Sequence, residues 1–154
     1  MLSIRDAMST LALSPTWDFQ APHVLRVRVG AEAIDAFRHV NNAIYLQWLG
    51  LAAWSHSESR GVSASDCLKL NRGMVVHHAE LDYLLSAIEG DELQIATWIV
   101  ASDQRLRCTR SFQIMRIGDC GTLLRARIDY VCMNLQSGRA TRMPSAFSAA
   151  YVAS

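Results

Sequence analysis

The chain has 154 residues, of which 51% are hydrophobic, and a formal net charge of +1 at pH 7. That length fits one domain with a single core, and no apolar run approaches the roughly 18–20 residues that cross a bilayer. The 15 basic and 14 acidic residues form no long block of one sign, which argues against a protein that binds nucleic acid or a membrane surface. We therefore expect a soluble globular protein.

The N-terminal segment, residues 1–20, is predicted to be a loosely ordered lead-in to one domain at 21–154. Its apolar piece at 11–13 is short, an acid lies at Asp6 and no continuous apolar run is present, so we expect no secretory signal. The four cysteines are scattered and form no C-x-x-C pair, which favours reduced thiols over metal ligands or disulfides. We expect a cytoplasmic protein.

The first strand is predicted from a strict alternation of apolar residues with arginines. The apolar positions are Leu25, Val27 and Val29, and the positions between them are Arg26 and Arg28. A period of two is typical of a strand with one buried face.

The next predicted element is a helix that opens at Asn41 and Asn42 and ends near Gly61. Asparagine is a preferred N-cap because its side chain accepts from free backbone N–H groups in the first turn. The stretch 43–54 is almost wholly apolar on every side of a helix, so we expect other elements to enclose it largely. Residues 62–72 are predicted to be a loop or short helix.

The rest of the chain is predicted to form four antiparallel strands joined by short turns. Apolar alternation and turn residues place these strands at about 74–85, 93–100, 105–117 and 123–134. Arg110 falls on the apolar phase of the third of them, which indicates either a bulge or a charge that reaches inward.

One strand, one apolar helix and four further strands fit an α+β fold. A single sheet covers such a helix only by curling around it, so we expect a curved antiparallel sheet wrapped around a central, mostly apolar helix. The polar cluster at 35–42, which precedes the helix directly, would then lie at the mouth of the wrap.

This cluster also resembles a known motif. The residues DAFRHVNNAIY at 35–45, with Trp48 following, are similar to the D-x-x-x-H-V-N-N-x-x-Y motif of hotdog-fold acyl-CoA thioesterases. The 4-hydroxybenzoyl-CoA and long-chain acyl-CoA branch is the most similar. LDYLLSA at 81–87 and GDEL at 90–93 are further likenesses, so the resemblance covers nearly the whole domain. Arg38 departs from the family, which often has glycine there, and the family's charges in the helix are replaced by apolar residues.

The resemblance implies roles for the three central residues of the cluster. Asp35 is expected to be the catalytic carboxylate, against the alternative of a solvated loop acid. The backbone N–H of Asn42 is expected to stabilise an oxyanion. His39 is included as a catalytic candidate, although bracing the loop is the more common role of such a histidine.

The remaining candidates are predicted to bind substrate. Asn41 accompanies the cap, and Tyr45 and Trp48 face either the core or an acyl pocket. On the second strand the candidates are His77, Asp82 and Tyr83. The adjacent histidines at 77 and 78 point to opposite faces of a strand, so we expect no metal site.

The resemblance implies an acyl-CoA thioesterase that hydrolyses a fatty or aromatic thioester of coenzyme A or of acyl carrier protein, without a cofactor. A non-catalytic acyl-thioester-binding module and a hotdog hydratase or dehydratase are the alternatives. The open edges of a five-stranded sheet predict a homodimer or a dimer of dimers, because unpaired edges invite pairing with a second chain.

Overall fold

The computed structural model describes residues 14–153. Five strands form one antiparallel sheet in the order β1-β3-β4-β5-β2. The strands are β1 (His23–Arg28), β2 (Arg72–Tyr83), β3 (Glu92–Ser102), β4 (Arg107–Arg116) and β5 (Thr122–Asn134). The helices are α1 (Asn42–Ser59), α2 (Ala64–Leu70) and α3 (Ser145–Ala150), and a short 3-10 helix covers Ala31–Ala33. The predicted α+β hotdog architecture is confirmed.

The strand register aligns apolar side chains into a row across the sheet. Leu25 pairs with Ile95, Ile95 with Ile114, and Ile114 with Leu124. Leu124 in turn pairs with Tyr83 at the end of β2. Tyr83 therefore belongs to the same face of the sheet as this core row.

Helix α1 begins where the sequence predicts and ends close to the predicted stop. The Asn41 side chain accepts from the backbone N–H of Ala43 at 2.9 Å, so Asn41 is the N-cap and Asn42 is the first helical residue. Gly61 lies just past the end with a φ of +87°, a left-handed conformation that glycine adopts without steric cost.

The sheet covers only one side of α1. The buried residues recur at helical spacing and are Tyr45, Trp48, Leu49, Ala52, Ala53, His56 and Ser57. On another side Leu46 and Trp54 are 47% and 45% exposed, with Gly50 between them. The prediction that the chain's other elements largely enclose this helix is therefore wrong on that side, because one sheet offers one covering surface.

Residues 14–21 pack on the opposite face of the sheet. The Trp98 indole N–H donates to the Gln20 carbonyl at 2.9 Å, and Trp17 meets Trp98 edge to face. The Asp18 carboxylate pairs with Arg125 of β5. The other part of the predicted lead-in, 1–13, lies outside the described residues.

The connection between β2 and β3 carries the chain across the sheet, because these two strands are not neighbours. In this connection the Ala87 carbonyl accepts from Val40 and the Gly90 N–H donates to Val29, both at 2.9 Å. The segment 84–91 is thereby held against the loop that precedes α1. Within residues 14–153, no helix combines the length and hydropathy that crossing a membrane requires.

Candidate active site

The loop that precedes α1 is fixed by its own backbone hydrogen bonds. Ile34 and Val40 form an isolated antiparallel bridge, and the Asp35 N–H donates to the His39 carbonyl at 2.9 Å. Arg38, within this turn, has a φ of +61°. A left-handed conformation favours glycine, which gives a physical reason for the glycine that the resembled motif often has at this position.

The Asp35 carboxylate is half-buried in this loop. Its Oδ1 accepts a hydrogen bond from the Phe37 N–H at 2.9 Å, an Asx turn that fixes the side chain. Among the described residues Asp35 forms no ion pair, and no second donor binds its carboxylate. One carboxylate oxygen is therefore available to a substrate or a water molecule.

His39 does not brace Asp35 through its ring. Its side chain is exposed, and only its backbone carbonyl contacts Asp35, through the hydrogen bond from the Asp35 N–H. Within the part of the chain that the structure describes, the ring has no hydrogen-bond partner.

The start of α1 presents a free backbone N–H. Asn41 satisfies the Ala43 N–H with its side chain and the Ile44 N–H with its carbonyl. Its own N–H donates to the Ala33 carbonyl. The Asn42 N–H has no acceptor among residues 14–153, as expected for a group in the first turn of a helix. This donor lies at the positive end of the helix dipole.

Two tyrosines build the wall beside this N–H group. The Tyr83 hydroxyl donates to the Asn42 carbonyl at 3.0 Å, and the Tyr45 hydroxyl accepts from the Ala87 N–H at 3.0 Å. Their rings meet edge to face with centroids 5.7 Å apart. Burial raises the pKa of Tyr45, so its phenol is neutral at pH 7.

These groups line one surface cavity of about 240 Å³. The predicted site residues that meet there are Asp35, His39, Asn42, Tyr45 and Tyr83. The cavity has further walls that the sequence analysis did not assign to the site, namely Phe37, Val40, Leu84, Leu85 and Ser86. Phe37 is 83% exposed, although it is aromatic. Two sequence signals pointed to parts of this wall: the motif at 35–45, which contains Phe37 and Val40, and the likeness of 81–87 to the family.

The other four predicted residues lie outside this cavity. The Asn41 side chain caps helix α1, and Trp48 is buried and packs edge to face on Tyr45. His77 lies exposed at a bulge of β2. Asp82 lines a separate depression on the outer face of the sheet, beside Arg125. In one chain, therefore, neither of these two β2 residues reaches Asp35.

Residues 14–153 contain no group of three or more histidine, cysteine, aspartate or glutamate side chains that is able to hold a metal ion. The cavity instead combines a carboxylate, an unpaired backbone N–H at a helix N-terminus and apolar walls. An anionic oxygen attached to an apolar group fits this combination.

Comparison with known proteins shows the family and the fold of this chain. Residues 29–151 match the model of the thioesterase-like superfamily. No curated protein matches the chain in sequence. Among solved structures, a 1,4-dihydroxy-2-naphthoyl-CoA thioesterase from Synechocystis is similar, with a TM-score of 0.77 and 20% identity over 85% of this chain and 96% of that chain.

Two further solved structures share the fold. A Staphylococcus aureus protein, described as hypothetical and solved in complex with CoA, has a TM-score of 0.78 and 18% identity over 88% of this chain and 84% of that one. A putative oleoyl thioesterase from Lactobacillus plantarum has a TM-score of 0.78 and 18% identity over 85% of this chain and 50% of that one.

Proposed function

This chain belongs to the thioesterase-like superfamily, and we propose that it is an acyl-CoA thioesterase that uses Asp35 and the backbone N–H of Asn42. The observation that carries the proposal is that both groups line one cavity, each with hydrogen-bonding capacity left unused within the described chain. The substrate is a fatty or aromatic acyl thioester of coenzyme A or of acyl carrier protein, and the products are a free acid and a thiol.

The Asn42 N–H supplies the electrostatic part of this chemistry. A thioester carbonyl oxygen that accepts from this N–H is polarised, and the negative charge that develops on it during attack is stabilised by the helix dipole. Losing one such donor typically costs about 3–4 kcal/mol of transition-state stabilisation. Because the donor belongs to the backbone, the Asn42 side chain is not required for this role.

Asp35 supplies the attack by one of two routes. As a general base, it takes a proton from water while the water oxygen forms a bond to the carbonyl carbon; the tetrahedral intermediate then expels the thiolate, which takes up the proton. As a nucleophile, its carboxylate displaces the thiolate and forms an anhydride, which water then hydrolyses to regenerate Asp35. The Asx turn with Phe37 holds the carboxylate in place for either route.

The relatives favour a coenzyme A thioester as substrate. One solved relative is named as a naphthoyl-CoA thioesterase, another was solved with CoA, and a third is named as a putative oleoyl thioesterase. These names support both aromatic and long-chain acyl groups as substrates of the present chain.

We further propose that the active form is a homodimer or a dimer of dimers. Strand β2 is an edge of the sheet, and the exposed apolar side of α1 at Leu46 and Trp54 lacks a cover within one chain. Pairing of two β2 edges would satisfy unpaired backbone groups and bring a second chain toward that side of α1. His77 and Asp82, which do not reach Asp35 within one chain, would then be positioned to act in the partner's site.

The proposal is tested by incubating the purified protein with a panel of acyl-CoAs and following free thiol with a thiol-detecting reagent. Aromatic and straight-chain acyl groups of increasing length form the panel. For at least one acyl-CoA in the panel, we expect coenzyme A to be released at a rate that saturates as the substrate concentration rises. A binding module or a hydratase releases no thiol, so binding or hydration without thiol release would overturn the proposal.

A further inference from the structure

A second cavity lies near the other end of α1. It has a volume of about 170 Å³ and is lined mainly by apolar side chains, together with Ser57, Arg110, Tyr130 and Tyr151. Fifteen residues separate Asn42 from Ser57 along the helix, which at a rise of about 1.5 Å per residue corresponds to roughly 22 Å. The two cavities share no residue.

One residue that lines this second cavity is a buried arginine. Arg110 is only 2% exposed. Its Nη1 lies 2.7 Å from Nδ1 of His56, and its Nη2 donates to the Ser57 hydroxyl at 3.0 Å. The guanidinium also lies over the Tyr151 ring, 5.8 Å from its centroid.

The histidine in this contact is neutral. A guanidinium only donates hydrogen bonds, so His56 Nδ1 must accept and cannot carry a proton. Burial, together with the charge of Arg110, lowers the pKa of His56 to about 3. Arg110 therefore has no charged partner in its two hydrogen bonds.

The other groups around Arg110 are neutral at pH 7 as well. Burial raises the pKa of Cys108 to about 11 and that of Tyr130 to about 12, and it also raises the pKa of Tyr151. Among residues 14–153 no aspartate or glutamate forms an ion pair with Arg110. A buried charge without a counter-ion is unfavourable, since burial removes its hydration and no anion compensates.

The geometry points to an organic anion as the missing counter-ion: we propose that this cavity binds a carboxylate carried on an apolar body, with Arg110 and Ser57 as its polar contacts. A guanidinium has five N–H donors, and the two hydrogen bonds to protein leave others free for a carboxylate, whose shape it matches. Ser57 already accepts from Arg110 and Tyr151, so its own O–H is free to donate to the ligand.

The size of the cavity limits the apolar body to about one aromatic ring or a short alkyl chain. A dry protein cavity of about 150 Å³ takes up benzene, and the volume here is about 170 Å³. Met74 and Ala53 line its apolar part. Benzoate is therefore a suitable probe, and benzamide is a neutral control of nearly the same shape.

The test is titration calorimetry of benzoate and benzamide into the wild-type protein and the Arg110→Met variant. We expect the wild type to bind benzoate at least tenfold more tightly than benzamide, and the variant to lose that preference. Equal binding of the two probes by the wild type, or an unchanged preference in a folded Arg110→Met variant, would overturn the proposal.

A second variant covers the case in which Arg110→Met fails to fold. A Cβ at Gly50 meets no atom of another part of the same chain within 4 Å, so a single chain accommodates Gly50→Leu, which places its side chain at the lining of the cavity. Because Gly50 also lies on the side of α1 that we propose a second chain covers, the variant is used only if it sediments like the wild type. We expect it to weaken benzoate binding at least tenfold; unchanged binding would overturn the proposal. Amide NMR shifts on adding benzoate are expected at Ser57 and Tyr151, and shifts confined to the surroundings of Asp35 would likewise contradict it.

A kinetic comparison shows whether the bound carboxylate is the distal end of an acyl group or a free acid. Two acyl-CoAs of equal length are compared as substrates, one ending in a methyl group and one in a carboxylate. If Arg110→Met lowers kcat/KM only for the carboxylate-ended substrate, the ligand is the distal end of an acyl group. If it lowers kcat/KM for neither while abolishing benzoate binding, the ligand is a free acid; both results support the site.

Discussion

The Tyr83 hydroxyl donates a hydrogen bond of 3.0 Å to the backbone carbonyl of Asn42. This contact joins the end of an edge strand to the first residue of α1, and so ties two walls of the Asp35 cavity together. The same ring packs edge to face on Tyr45, whose hydroxyl holds the segment that follows β2.

We predict that Tyr83→Phe lowers kcat/KM for acyl-CoA hydrolysis up to about tenfold, because a single hydrogen bond contributes about 0.5–1.5 kcal/mol. Without the Tyr83 hydroxyl the Asn42 N–H would be held less firmly in place, although the N–H itself is still present to donate. Tyr130→Phe is the matched control, since the Tyr130 hydroxyl has no hydrogen-bond partner among the described residues and lines the other cavity. Equal losses of kcat/KM in Tyr83→Phe and Tyr130→Phe would contradict the role assigned to the Tyr83 hydrogen bond.

Capping of α1 is assigned to Asn41 and not to Asn42. Asn41→Ala is therefore expected to lower the free energy of unfolding by about 1 kcal/mol, measured by denaturant titration. Asn42→Ala is expected to change both stability and kcat/KM little, because it retains the backbone N–H and its side chain makes no hydrogen bond within residues 14–153. A large loss of activity in folded Asn42→Ala would show that the side chain acts directly.

The buried His56 predicts a pH-dependent stability. Its pKa is about 3 in the folded protein, whereas an unfolded chain has the ordinary value of about 6.5. Between these values the unfolded state binds more protons, so acidification destabilises the fold. His56→Asn retains an acceptor for Arg110 but does not titrate.

The fall in the free energy of unfolding between pH 7 and pH 5 is therefore expected to be about 2 kcal/mol smaller in His56→Asn than in the wild type. His39→Asn, the same substitution at an exposed loop position, is measured beside it as the control. If the free energy of unfolding of His56→Asn falls as much as that of the wild type between pH 7 and pH 5, His56 takes up its proton in the folded protein as it does in the unfolded chain.

The assembly is tested on the uncovered side of α1. The wild type is expected to sediment with at least twice the chain mass of 17.1 kDa. Leu46→Glu should weaken association at least tenfold and reduce activity in proportion, because burying an unpaired charge costs several kcal/mol. Leu68→Glu, on α2 at a position that is 74% exposed, should do neither. A wild-type monomer with full activity would contradict the shared site.

Local patterns in the sequence were sufficient to place most elements of the fold. The alternation around Leu25 gave β1, and the asparagine pair placed the start of α1 within one residue. Of the two alternatives predicted at Arg110, a bulge or an inward-reaching charge, the structure shows the inward-reaching charge, since Arg110 is buried. These features depend on neighbours along the chain or on strand phase, which a single sequence displays.

Features that depend on contacts distant in sequence were not predictable in the same way. Nothing local indicates that β2 pairs with β5, or that 84–91 would cross the sheet and wall the cavity. His56 has no pattern that marks it as the partner of Arg110, because their contact joins a helix to a strand 54 residues away. The uncovered side of α1 likewise becomes visible only when the extent of the sheet is known.

The measurement that tests the central claim most directly compares Asp35→Asn with Glu58→Gln in acyl-CoA hydrolysis. Asparagine at 35 retains an oxygen that accepts from Phe37, so the loop should be preserved while the base or nucleophile is lost. We expect Asp35→Asn to lower kcat/KM by about 10²- to 10⁴-fold, with an unfolding midpoint close to that of the wild type. Glu58→Gln removes the same charge at an exposed position near the far end of α1, so it measures the loss caused by removing a carboxylate that lies outside the site. An Asp35→Asn enzyme that keeps a tenth or more of the wild-type kcat/KM would contradict the account.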